Sequence, residues 1–80
     1  MASEAWVLFH RIDDPASAAV RREIVARGLK TRIDFQNVNE DEVSELFARL
    51  GGQDLPAVWD GSRLVTGREA IAAWLERVGR

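Results

Sequence analysis

Residues 10 to 17 read His10-Arg11-Ile12-Asp13-Asp14-Pro15-Ala16-Ser17, and the reading of this stretch decides the rest of the chain. It follows the apolar run Ala5-Trp6-Val7-Leu8-Phe9, which over residues 5 to 10 suits a short strand buried on both faces. Asp14-Pro15 reads as a helix start. An aspartate side chain accepts hydrogen bonds from free amides of the first turn, and proline at the first helical position forfeits no bond. Ala16, Val20 and Ile24 then share one helix face, with Val25 and Leu29 extending the stripe. Gly28 supplies a left-handed stop.

Working outward, Lys30 to Val38 reads as a second strand, in which Thr31, Ile33 and Phe35 alternate with Arg32, Asp34 and Gln36. Strand, helix and strand make a βαβ unit with a right-handed crossover. Asn39 with Glu42 matches a capping box, and Val43, Leu46, Phe47 and Leu50 keep helical spacing up to Gly51-Gly52. Ala57-Val58-Trp59 and Arg63-Leu64-Val65 are short strands, and Asp60-Gly61 between them predicts a tight antiparallel hairpin. Thr66 with Glu69 suggests a second capping box, before Ile71, Trp74, Leu75 and Val78 repeat the helical stripe. The order is β-α-β-α-β-β-α, in one domain spanning residues 1–80, with no repeat or linker.

Composition sets limits on function. At 46% hydrophobic and 30% charged, the chain has the make-up of an ordinary globular protein. The longest apolar run of five residues falls far short of a bilayer span. No basic, apolar leader opens the sequence, so the cytoplasm is the expected compartment and no membrane partner is expected. A formal charge of −2 argues against a general attraction to nucleic acid or anionic lipid. Arg11, Arg21, Arg22, Arg27, Lys30 and Arg32 weight the first half basic, while Asp34, Glu40, Asp41, Glu42, Glu45 and Asp54 weight the middle acidic. Two solvated faces account for that asymmetry, and a dipolar docking surface is the sharper alternative. With zero cysteines there is no thiolate nucleophile, disulfide or thiol metal site, and one histidine does not make a zinc site.

The element order at this length resembles a glutaredoxin, and equally the N-terminal thioredoxin-like domain of a glutathione transferase. Three local features carry the resemblance. Asp14-Pro15-Ala16-Ser17 stands where glutaredoxins have Cys-Pro-x-Cys. Asp54-Leu55-Pro56 matches the Thr-Val-Pro before the third strand, whose proline is cis in the family. Val65-Thr66-Gly67-Arg68-Glu69 matches the Gly-rich start of the last helix. The resemblance implies a four-stranded mixed sheet in order 2-1-3-4, with helices one and three on one side and helix two on the other. It also implies a site. The family holds glutathione with a basic residue after the first strand, matched by Arg11, and with backbone before the cis proline, matched by Leu55. The start of the last helix, matched by Arg68 and Glu69, completes that pocket.

Two departures redirect the expectation. Asp14 takes the position of the nucleophilic cysteine and Ser17 that of the second; a carboxylate is already anionic and forms no mixed disulfide. Thiol–disulfide exchange is therefore excluded. Asp13 and Asp14 also place two negative charges beside an anionic ligand, and the Glu-Ser pair of glutathione transferases is absent near Gly67-Arg68. The expectation is a cysteine-free, non-redox binding or regulatory domain. Arg11, Asp14, Ser17, Leu55, Pro56, Arg68 and Glu69 are its candidate binding residues, and a protein or extended peptide is its partner. One alternative is glutathione binding, or a serine-type transferase in which Ser17 stabilises the thiolate; such enzymes need a helical C-terminal domain that 80 residues do not supply. A structural or assembly module using Trp59 is the other. Asp14 reads first as a plain helix cap, Ser17 as an ordinary first-turn serine and Pro56 as a turn-fixing residue. His10 lies beside the pocket with an ordinary pKa near 6.5 that can sense pH, although a lone histidine at a strand end is usually incidental. Trp6 and Trp74 are expected in the core.

Overall fold

The computed structural model describes residues 6–79; the expected strand start at Ala5 lies outside them. In chain order the elements are β1 (Trp6–His10), α1 (Pro15–Ala26), β2 (Ile33–Asn37), α2 (Asp41–Arg49), β3 (Ala57–Trp59), β4 (Leu64–Thr66) and α3 (Arg68–Val78). The sheet runs β2-β1-β3-β4. β1 and β2 are parallel with Leu8 opposite Phe35, whereas β3 pairs antiparallel with both β1 and β4. This is the order and strand polarity that the resemblance implied.

Pleating of β1 divides the interior into two. Leu8, Ile33 and Val58 face α1 and α3, where Val20, Ile24, Leu29, Ile71, Trp74 and Leu75 complete one buried cluster. Phe9 and Ala57 point the other way, to Val38, Val43 and Phe47 beneath α2. Because successive strand residues alternate faces, a single strand seeds both clusters. Trp6 meets Trp74 edge-on at 4.9 Å between ring centroids, which places both against the first cluster as expected. Trp59 is partly buried against the second cluster, so its indole packs inward rather than standing free.

Several local expectations are corrected. Residues Lys30–Arg32 form a short 3-10 turn, so β2 starts at Ile33 rather than Lys30. The turn sets Lys30 over the Phe35 ring and Arg32 over the Trp6 ring, at 4.9 and 4.5 Å. The Asn39–Glu42 capping box does not form. Glu40 takes the cap position without a side-chain bond, since the Asn39 carboxamide accepts from Arg11 Nε at 3.2 Å. Nor does Thr66–Glu69: Thr66 ends β4, paired with Ala57, and Gly67 at φ 99° leads into α3. That left-handed value is open to glycine at no steric cost. Val25 and Leu46, expected on core stripes, are exposed, because each lies at the solvent edge of its helix face.

Candidate functional site

The β1–α1 connection is a turn closed by the Asp14 N–H donating to the Arg11 carbonyl at 3.3 Å. Asp14 has extended backbone angles (φ −97°, ψ 121°) and caps α1, with Pro15 in the first turn. Its Oδ2 accepts from the Ser17 N–H at 2.9 Å and from the Ser17 hydroxyl at 2.8 Å. Ser17 Oγ in turn accepts from the Arg11 N–H at 3.2 Å. Ser17 is fully buried, so this hydroxyl serves the turn and does not face solvent. Its proton is already directed at a carboxylate.

The same bonds fix the charge state. The Ser17 hydroxyl first, and then the Ser17 amide, hold the Asp14 carboxyl below its ordinary value of 3.8, and the nearby Arg11 guanidinium adds in the same direction. Hydrogen bonds made to the ionised form favour it. At neutral pH the start of α1 is therefore occupied by a fixed anion, which stabilises the helix end electrostatically.

Opposite this turn lies the loop after α2. The Leu55–Pro56 peptide is cis, Pro56 is buried, and its carbonyl accepts from the Gly67 N–H at 3.0 Å. Among the described residues, no backbone bond of the loops and turns engages the Leu55 N–H or carbonyl. Gly52 lies directly against the Phe47 ring, where any Cβ would overlap it.

Between turn and loop opens a cavity of about 400 Å³, lined by Arg11, Asp14, Phe47, Gln53, Asp54 and Leu55 together with parts of α2. Arg11, Asp14 and Leu55 thus line one cavity. Arg68 and Glu69 do not join them. They line a separate cavity of about 410 Å³ between α1 and α3, with Glu23, Val20 and Ile71.

One residue at this site escaped the sequence reading. Arg21, on the second turn of α1, donates from its guanidinium to His10 Nδ1 at 2.9 Å, to the Arg11 carbonyl at 3.1 Å and to the Ile12 carbonyl at 3.2 Å. His10 is itself buried, with burial first and Arg21 second holding its pKa below 6.5. A signal existed: Arg21 lies four residues after Ser17, on the face of α1 that meets the turn.

Fold and sequence together define a class: a glutaredoxin-like thioredoxin fold in a chain that has no cysteine. Three solved structures place it there. The dithiolic glutaredoxin 2-C-Grx1 of Trypanosoma brucei brucei shares 19% identity at a TM-score of 0.71, over 99% of this chain and 91% of that one. A mutated buckwheat glutaredoxin shares 18% at 0.70, over 96% and 72%. The buckwheat glutaredoxin–glutathione complex shares 16% at 0.68, over 94% and 70%. Identities this low speak for the fold alone. No family model matches the chain, and no curated protein does.

Proposed function

We propose that this domain is a non-redox binding module that receives an extended segment of a protein partner beside Leu55. The surface is made by the Arg11–Ser17 turn and the 53–56 loop. The observation that carries this reading is the unengaged Leu55 N–H and carbonyl at the rim of the cavity. An incoming strand can pair with those two groups, while one of its side chains enters the cavity; backbone pairing supplies affinity and the cavity supplies selectivity. Arg11, on the cavity wall, is available to a carboxylate of the partner, although its Nε is already bonded to Asn39. Asp14 competes with any small anion for the amides of the helix start, which favours a peptide over a free anionic ligand.

Glutathione is the second reading, favoured by the fold shared with a glutaredoxin solved in complex with it. Two features weaken it. Arg68 and Glu69 face a different cavity, and the buried Ser17 hydroxyl is turned to Asp14 rather than to a ligand thiol.

Amide-shift titration separates the two. Short extended peptides are expected to move the resonances of Arg11, Gln53, Asp54 and Leu55 in a saturable way, with reduced glutathione leaving them in place. Shifts with glutathione alone would transfer the assignment to the tripeptide, and silence with both would end the binding reading.

A further inference from the structure

Arg21 and His10 do more than decorate the turn. A guanidinium has only N–H donors, so His10 Nδ1 must be the acceptor of the 2.9 Å bond. The ring is then neutral, with its proton on Nε2. It is buried and meets the edge of Phe35 at 5.7 Å between centroids. Its backbone is fixed as well, since the His10 carbonyl accepts from the Val38 N–H at 2.9 Å. The remaining Arg21 donors reach the Arg11 and Ile12 carbonyls at 3.1 and 3.2 Å, the two residues that open the turn.

We propose that His10 and Arg21 form a proton-sensitive latch, in which the neutral ring seats the guanidinium across the β1–α1 turn and the protonated ring expels it. Protonation at Nδ1 replaces an acceptor with a second donor, so an N–H faces an N–H and two cations stand in contact. Release of Arg21 frees the Arg11 and Ile12 carbonyls and loosens one wall of the cavity that Arg11 lines.

The charge in contact with the ring is a cation. From α1 comes Arg21. On the β2 side the neighbour is Phe35, over whose ring the Lys30 ammonium sits at 4.9 Å. From the turn comes Arg11, whose Nε is bonded to Asn39. The Asp14 carboxylate of the same turn is occupied by Ser17, and among the described residues no carboxylate bonds to the imidazole. A ring so placed takes its proton below the ordinary value of 6.5, with burial the larger cause and Arg21 the second. The latch is closed at neutral pH. It opens as the pH falls below that value, and in the same window the fold loses stability, because the unfolded chain binds the proton first.

The test is a pH titration of the intact domain by NMR, with no ligand present. At neutral pH the ring is expected as the Nε2–H tautomer. On acidification its midpoint should fall below 6.5, and the amides of Arg11, Ile12 and Asp13 should move with the same midpoint. In His10→Asn the side-chain carbonyl, bonded to Cγ as Nδ1 is, is expected to accept from Arg21 at every pH, so the amide titration should flatten. An Nδ1–H tautomer, a ring midpoint at or above the ordinary value, or turn amides that stay still while the ring titrates would each overturn the latch. The unsubstituted protein decides the matter by itself should the variant not fold. Since no ligand is involved, the latch stands or falls apart from the binding reading.

Discussion

The two faces of the sheet are unequal. Against α1 and α3, Leu8, Ile24, Val58, Ile71 and Leu75 are fully buried, and Val20, Leu29, Ile33 and Trp74 nearly so. Against α2 only Phe9 and Ala57 are fully buried, while Val43 and Phe47 keep a margin of exposure and Leu50, Leu55 and Leu64 are only partly covered. The candidate cavity opens on this thinner face. Apolar burial is the dominant favourable contribution to folding, so the first face holds the domain together. The second is less completely buried, and local opening is expected there first. A binding surface belongs where rearrangement is cheap.

The largest expected effect therefore lies on the first face. Ile24→Ala removes a fully buried side chain from the centre of the α1–α3 cluster and should cost about 2–5 kcal/mol in chemical denaturation. On the second face, Gly52→Ala drives a methyl group into the Phe47 ring and should cost about 1–3 kcal/mol, while also displacing the ring that lines the cavity. If the glycine change proves the more damaging of the two, the assignment of stability to the α1–α3 face is broken. If it leaves stability nearly intact yet weakens the peptide response, the contrast is sharpened.

A smaller effect is expected at the boundary between the faces. Asp14→Ala deletes the cap of α1 and the acceptor for Ser17, so its thermal midpoint at neutral pH should lie below that of the parent. The Asp14 carboxyl is held below 3.8 in the fold, so its contribution is present above the ordinary carboxylate range and is lost as the pH falls through the folded value. The gap between variant and parent should accordingly narrow in strong acid. A gap that stays constant with pH would mean that the carboxylate's charge has no part in the cap.

Much of this arrangement is written in local pattern. Alternation along β2, helical spacing in α2 and α3, the Asp60-Gly61 turn and Asp14-Pro15 each specify an element through near neighbours, and each element is found. The two capping errors share a cause. Asn39-x-x-Glu42 and Thr66-x-x-Glu69 both satisfy the capping pattern, yet a distant partner claims the first residue of each: Arg11 for Asn39 and the Ala57 pairing for Thr66. Arg21 was hidden for the same reason. Its partners His10, Arg11 and Ile12 lie about ten residues back and meet it only once β1 and α1 are folded together. At the candidate site, Asp14 was legible as a helix start and Arg11 and Leu55 were named through the resemblance, while the separation of Arg68 and Glu69 into another cavity depends on how α1 and α3 pack.

The pairing of Asp14 with buried Ser17 also bears on what this scaffold can become. A sulfhydryl introduced at position 14 would replace the carboxylate that the Ser17 O–H and N–H share with a sulfur, a weaker acceptor. Thiol chemistry placed at that helix start would therefore come with a weaker cap on α1 and a looser β1–α1 turn.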